Sequence, residues 1–333
     1  MRFAAKQWSL ICLLALALAA PAAIAQSGIK RLVVFGDSLS DSGNAFALLG
    51  TVNTPPDWSV DPFLIPDRPY ARGGLHFSNG ATWIEQLARP LGLAGSVRPA
   101  LRNASPGAAN YALGGARARE DQADSPLNLP EQVAKFLSDN GGAAPSDALY
   151  VIAIGGNDLR DALVALLGTL QQTGNPALAQ AAAQSVLGDA VASIGTQMQN
   201  LAGAGARQFL VWKVPNIGAT PAIRALAAVN PAIPFIADGL TRGFNDALET
   251  NVLTPFQAAG FRIVRLDVYQ MLNQIIAQPA NFGLSNVTTA CITPNVAPFQ
   301  CQAPDQYLFW DGIHPTAAGH ALIAQQAAAA LSH

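Results

Sequence analysis

The sequence predicts an α/β protein of three layers, with helices on both faces of a parallel sheet. Three observations predict it. Short continuous apolar runs rich in Val, Leu, Ile and Phe recur along the chain, as expected of strands buried on both faces. Segments with apolar residues at helical spacing alternate with these runs. Glycines and polar side chains crowd just beyond several runs, at strand carboxyl ends, where open α/β sheets place their chemistry.

Residues 1–25 read as a processing signal. Arg2 and Lys6 supply a positive region, Leu10 to Ala20 an apolar run too short to span a bilayer, and Ala23-Ile24-Ala25 a small-x-small cleavage site. The mature chain is expected to begin near Gln26 as a single domain, 26–333, secreted or periplasmic, with no transmembrane segment. Leu32 to Phe35 is the first strand, and Gly36-Asp37-Ser38 turns the chain off its end, toward an expected helix start whose amides favour an anion. Ala45 to Leu49 completes that short helix. Thr51 to Gly80 is a long irregular loop with Trp58, Phe63, Tyr70 and Phe77, of a length that is often functional; its plainer reading is a surface connection around a small apolar cluster.

Thr82 to Leu91 has helical spacing, with Trp83, Ile84, Leu87 and Leu91 on one face. Asn110 to Ala116 reads as a short strand ending in a glycine turn, and Leu129 to Leu137 as a helix opened by Pro130. Ala148 to Ile154 is a buried strand ending in Gly155-Gly156-Asn157-Asp158, and the leucines from Leu159 to Leu170 follow at helical spacing. That stripe reads as core, with an acyl-pocket wall as the rarer alternative. Leu178 to Ala202 is a long Ala-rich helix, Gln208 to Trp212 a strand, and Pro234 to Gln257 mostly helix. Phe261 to Leu266 is the last strand expected and Ala317 to Leu331 the closing helix. No repeat or linker divides the chain.

A net charge of −2, with 12% charged residues and no basic stripe, excludes nucleic acid as an expected partner. Of three cysteines, Cys12 falls in the leader. Cys291 and Cys301 lie close together in a polar loop, and after export they are expected to form a disulfide. A metal site there is disfavoured, since no other Cys or His clusters nearby, and His76, His320 and His333 are too scattered to suggest one elsewhere.

Taken alone, Asp37, Ser38, Ser40 and Asp41 fit a turn and a helix N-cap. Asp311 and His314, three residues apart, likewise fit a capping turn. Together they supply a hydroxyl, an imidazole and a carboxylate spaced to orient that imidazole, the residue types that acyl transfer through a serine needs. No Gly-x-Ser-x-Gly elbow surrounds Ser38, which disfavours the common α/β-hydrolase layout.

Four blocks, Gly36-Asp37-Ser38, Asn110 to Gly115, Gly155 to Asp158 and Asp311 to His314, stand in an order that resembles the GDSL family of serine esterases and lipases, the SGNH hydrolases. Phe35 to Asn44, FGDSLSDSGN, is most similar to the branch holding plant GDSL esterases and bacterial secreted or autotransporter esterases and phospholipases. Phe77-Ser78-Asn79-Gly80 with Trp83, Val214 to Gly218, and Phe244-Asn245 with Leu248 also resemble that branch.

The resemblance implies a flavodoxin-like α/β/α sandwich. It implies Ser38 as nucleophile, His314 as general base and Asp311 as its orienting carboxylate. The oxyanion hole it implies is the Ser38 N–H, the Gly115 N–H, with Gly114 as the alternative, and the Asn157 amide. Asp37 and Asn44 are read as supports of the Ser38 turn. The implied activity is cofactor-free hydrolysis of acyl esters, lipids among them, through an acyl-enzyme. The alternatives are phospholipase or lysophospholipase action, acyl transfer to alcohols, carbohydrate deacetylation, or a non-catalytic binding protein on the same fold. Autotransporter members carry a C-terminal β-barrel, and the sequence stops just after its closing helix, so anchoring by that route is not expected. The loops Thr51 to Gly80 and Pro279 to Phe309 are expected to shape the substrate pocket.

Overall fold

The computed structural model describes residues 28–56, 58–102, 107–120 and 127–332. The leader, Gln26 as the first mature residue, Cys12 and His333 lie outside the described residues. Four strands, β1 (Arg31–Gly36), β2 (Ala148–Ala153), β3 (Gln208–Lys213) and β4 (Arg262–Asp267), pair in the order β1-β2-β3-β4, all parallel. Val34 lies opposite Val151, and Val151 opposite Leu210. Every residue of β2 is buried, which is why its sequence, ALYVIA, shows no polar alternation.

The helices are α1 (Asn44–Leu49), α2 (Trp83–Ala88), α3 (Leu129–Asp139), α4 (Gly156–Thr173), α5 (Pro176–Gly203), α6 (Pro221–Ala225), α7 (Ile233–Leu248), α8 (Thr254–Ala258), α9 (Val268–Ala277) and α10 (Ala317–Leu331). On one side of the sheet α5 packs against α3, α4 and α7; on the other α10 packs against α2 and α9. The result is the expected three-layer sandwich. No described helix is long and apolar enough to cross a membrane. The leucine stripe of α4 is core, as its spacing suggested: Leu159, Leu163 and Leu166 are buried.

Several elements differ from the sequence reading. Residues 109–113 run along the free edge of β1, with Val34 N donating to Ala109 O (2.9 Å) and Tyr111 N to Val34 O (2.8 Å), but Asn110 forms only isolated bridges, to Val34 and to Pro99, and no regular strand. On their outer side Ala109 N donates to Ser96 O (2.7 Å) and Asn110 O accepts from Ala100 N (2.9 Å), while the Asn44 side-chain amide donates to Asn110 O and Ala112 O, both at 2.8 Å. The sheet edge is thus covered by the backbone of residues 96–100 and by the Asn44 side chain. The helix from Thr82 stops at Ala88: Arg89 keeps helical backbone (φ −59°, ψ −56°), but Pro90 has no N–H to continue the ladder.

The expected Pro234–Gln257 helix is divided into α7, a π-helical turn at Glu249–Leu253, and α8. Pro255 has no N–H to continue the α-helical ladder there. Helix α9 went unread, although Val268, Met271, Leu272 and Ile275 are its buried face. Nor is β4 the last strand. Within the stretch read as a loop, β5 (Asn286–Ala290) and β6 (Tyr307–Phe309) form a short parallel pair with an irregular register. At three to five residues they are too short for a periodic signal.

The loop of residues 51–80 has its own small core. Trp58 and Tyr70 pack against Trp310, Cys291 and Ile292, with the three aromatic ring centroids 5.1–5.8 Å apart. Cys291 and Cys301 are joined in the expected disulfide beside this cluster.

Candidate active site

The site is built at the carboxyl end of β1. Gln132 on α3 clamps the last strand residue: its Oε1 accepts from Gly36 N at 2.9 Å and its Nε2 donates to Gly36 O at 2.8 Å. The chain then turns through Asp37, whose Oδ1 accepts from Leu39 N at 3.0 Å. Ser38 therefore sits on a tight turn and not at a helix start. Helix α1 begins only at Asn44, and the amides of Gly43, Asn44 and Ala45 are occupied by the Asp41 carboxylate at 2.6–3.0 Å. The helix-amide anion site expected at Ser38 is thus already filled by Asp41. Asp37 and Asn44 are the turn supports the sequence suggested, and Asp41 joins them. Asn110 adds a further one, donating to Ser40 O (2.8 Å) and Ser42 Oγ (2.9 Å).

Ser38 Oγ lies 2.8 Å from His314 Nε2, and His314 Nδ1 lies 2.7 Å from Asp311 Oδ2. Asp311 takes the Nδ1–H, which leaves Nε2 as the acceptor for the serine hydroxyl. All four lone-pair positions of Asp311 are used. Its Oδ1 accepts from the amides of Ile313 (2.9 Å) and His314 (2.8 Å), and its Oδ2 also accepts from Tyr70 Oη at 2.9 Å. Asp311 and His314 are buried, while Ser38 keeps 7% of its surface exposed.

The His314 turn is held from three directions. Phe77 packs on the imidazole with ring centroids 5.3 Å apart, Ser78 Oγ donates to Pro315 O at 2.8 Å, and Asn79 Oδ1 accepts from Ala317 N at 2.7 Å. The block Phe77 to Gly80 is thus a brace for the imidazole. Gly312 lies so close to the carbonyl of Phe63 that a side chain there would collide. The block at Val214 is a second clamp, in which Asn245 exchanges two hydrogen bonds with the Val214 backbone.

The two glycines of the 110–116 segment are now distinct. Gly114 N donates to Asp41 Oδ2 at 3.0 Å, and a Cβ at Gly114 would overlap the Phe77 ring. Gly115 adopts a positive φ of 81°, and among the described residues its N–H meets no acceptor. The Ser38 N–H is likewise unoccupied among the described residues. Asn157 stands in the first turn of α4, its Nδ2 anchored to Ala116 O at 2.9 Å with one of its two N–H bonds still available.

Burial pushes the Asp37 carboxyl up to about 7, with Asp158 adding to the effect and the Leu39 amide and His314 opposing it. Its Oδ2 has no hydrogen-bond partner. His76 and His320 stand apart from the triad: His76 pairs with Glu85 at 2.9 Å, and His320 accepts from Trp83 N at 3.2 Å. A groove of about 530 Å³ between α5 and α7 also lies elsewhere, and its lining holds no titratable side chain.

The sequence reading passed over two features of the site. Tyr70 was noted only as a loop aromatic, and nothing local announces a bond to a carboxylate 241 residues away. The role of Asp41 in holding Gly114 was equally silent.

Comparison with known proteins agrees with this geometry. Residues 32–327 match the family model of GDSL-like lipases and acylhydrolases. Esterase EstA of Pseudomonas aeruginosa is 31% identical over 99% of the chain and 51% of its own length. A GDSL esterase/lipase of Arabidopsis thaliana is 26% identical over 91% of the chain and 87% of its own length. Lipase 1 of Photorhabdus luminescens is 25% identical over 91% of the chain. The chain spans about half the length of EstA and of Lipase 1. With the model match covering most of the chain and relatives named as esterases and lipases, the protein belongs to the GDSL-like lipase/acylhydrolase family of carboxylic ester hydrolases.

Proposed function

We propose that this protein is an exported hydrolase of acyl esters that works through an acyl-enzyme on Ser38. The observation that carries the reading is the unbroken relay from Ser38 Oγ to His314 Nε2 (2.8 Å) and from His314 Nδ1 to Asp311 Oδ2 (2.7 Å). His314 takes the hydroxyl proton as Ser38 Oγ bonds to the ester carbonyl carbon. The developing oxyanion is received by the Ser38 and Gly115 amides and the free Asn157 N–H; Gly114, committed to Asp41, is not a donor. When the carbon–alkoxy bond breaks, the alcohol leaves with the proton from His314. Water then gives a proton to His314 and attacks the acyl carbon, releasing the acid and restoring Ser38. Asp311 stabilises the imidazolium in both halves. None of these steps requires a metal or an organic cofactor.

An apolar cavity of about 40 Å³ is lined by Leu39, Ile313 and Pro315, the chain neighbours of Ser38 and His314, and by Met271 and Leu272 among others. The Cys291–Cys301 disulfide and the leader-like residues 1–25 support export.

The test is labelling with a fluorophosphonate followed by peptide mapping. A single adduct on the peptide containing Ser38, with loss of ester hydrolysis in proportion to labelling, is expected. An adduct on another residue, or hydrolysis that survives full labelling, overturns the assignment.

A further inference from the structure

The Cys291–Cys301 disulfide lies outside the relay, yet it closes a hairpin that grips the chain just before Asp311. The hairpin is bridged between Ile292 and Gln300 and cross-linked at its base. Its first arm holds two carbonyls. Cys291 N donates to Phe309 O (3.1 Å) and Trp310 O (3.0 Å), and Ile292 N donates to Trp310 O (2.9 Å). Trp310 in turn donates its own N–H to His314 O at 2.8 Å, closing the turn that carries Asp311 and His314. Trp310 thus ties the hairpin, through its carbonyl, to the relay turn, through its amide.

Side chains repeat the connection. Cys291, Ile292, Trp58, Tyr70 and Trp310 form a buried cluster of their own, apart from the main core of the sandwich. From that cluster Tyr70 donates to Asp311 Oδ2 at 2.9 Å. The hairpin itself is strained: Asn295 and Phe299 hold positive φ of 61° and 70°, a conformation that is costly for a bulky side chain. The indole nitrogens of Trp58 and Trp310 are buried without an acceptor. Both features favour opening of the hairpin once the cross-link is cut, because the bridge is what denies the chain its open states.

We propose that the Cys291–Cys301 disulfide is a positioning element for Asp311, and that cutting it slows ester hydrolysis while the sandwich stays folded. This rests on the ester-hydrolase reading above. The cut is an exchange with an external dithiol. One thiolate of the dithiol attacks the sulfur of Cys301, the less buried partner, and Cys291 leaves as a thiolate and takes up a proton. The second thiol then displaces the Cys301 sulfur, which is protonated in its turn. Two electrons and two protons pass to the protein, and the dithiol departs as a cyclic disulfide. With the hairpin released, Trp310 and Tyr70 no longer hold the carboxylate in one place, and the imidazole loses its fixed orientation.

The test treats the natively oxidised full chain with dithiothreitol and counts free thiols. Hydrolysis of p-nitrophenyl butyrate, fluorophosphonate labelling and far-ultraviolet circular dichroism are read on the same samples. Reduction is expected to lower kcat by about 10–100-fold with KM little changed, to leave the dichroism spectrum unaltered, and to be reversed on reoxidation. The double variant Cys291→Ala/Cys301→Ala is expected to start at the kcat of the reduced enzyme and to ignore dithiothreitol. Tyr70→Phe reads the route to Asp311. It is expected to lower kcat/KM in the oxidised enzyme and much less in the reduced one, since groups acting through one contact are not additive.

A full kcat in the double variant, or in protein shown to be reduced, overturns the positioning role while the hydrolase reading stands. Loss of the dichroism spectrum together with activity overturns it as well, because the bridge is then a staple of the whole fold. Additive effects of Tyr70→Phe and reduction overturn the route through Asp311. A bridge that resists dithiothreitol overturns the exchange step, and the double variant then decides the positioning role alone. Failure of the oxidised protein to label at Ser38 removes the hydrolase reading and this inference with it.

Discussion

Replacing Asp37 by Asn is expected to stabilise the protein at neutral and alkaline pH. Asp37 is buried, and its Oδ2 has no partner. Burial raises its pKa from the ordinary 3.8 to about 7. The unfolded chain therefore loses this proton near pH 4 while the folded protein keeps it to about pH 7. Between those values the native state binds more protons, so the contribution of Asp37 to stability falls as pH rises and levels off above pH 7. At about 1.4 kcal/mol per pH unit the loss amounts to at most about 4 kcal/mol.

His320 works in the opposite sense. Burial lowers its pKa from 6.5 to about 3, so its contribution rises with pH between those values. Over pH 4 to 6.5 the two slopes oppose each other, and the wild-type protein is expected to show little pH dependence from this pair. The Asn variant keeps the Oδ1 that accepts from Leu39 N and removes the carboxyl titration. Its melting temperature should exceed that of the wild type by up to about 8 °C at pH 8, with the gap closing toward pH 4. Thermal unfolding of both proteins across pH 4–8 measures it. A gap that does not change with pH would refute the argument that a buried carboxylate is the cause.

Asn157→Ala is expected to lower kcat by about 10²–10³ with little change in KM or melting temperature, since the free amide N–H acts mainly on the transition state. Active-site-titrated kinetics checks this, and a folded variant with unchanged kcat removes Asn157 from the mechanism. Tyr70→Phe deletes one of the two bonds to Asp311 Oδ2 and is expected to cost about 1 kcal/mol of stability and to lower kcat/KM about tenfold. Steady-state kinetics alongside urea unfolding reads both, and an unaltered kcat/KM shows that the amides of Ile313 and His314 suffice to orient the carboxylate.

The parts of the fold that were legible in the sequence are those whose signal is local. Strands β1 to β3 announce themselves as apolar runs because both their faces are buried, and the half-buried outer strand β4 by the shorter apolar pattern of Ile263, Val264 and Leu266. The blocks holding Ser38, Asp311 and His314 were legible, and the fold brings these three side chains together, while the oxyanion roles of Gly115 and Asn157 rest on the resemblance those blocks carry. Helix α9 was readable in principle, since Asp267 caps it and its buried residues recur every three or four positions. What could not be read depends on contacts across the chain. The bond from Tyr70 to Asp311 and the commitment of Gly114 to Asp41 join residues 241 and 73 positions apart. The expected helix start at Ser38 failed for a related reason. Asp41 looked like one more polar residue of the turn, and only its placement shows that it already occupies the α1 amides.

The hydroxyl and the imidazole that face each other across 2.8 Å are separated by 276 residues of chain. Ser38, Gly115 and Asn157 emerge early in synthesis, while the base and its carboxylate arrive only with β6 and the turn before α10. A nascent chain can assemble β1, β2 and their helices and still hold an unactivated serine. Ester hydrolysis thus reports on completion of the longest-range contact in the site, which such topologies form late. Under the proposed mechanism, that ordering keeps the partly made chain inert toward esters until nearly the whole of it has been synthesised.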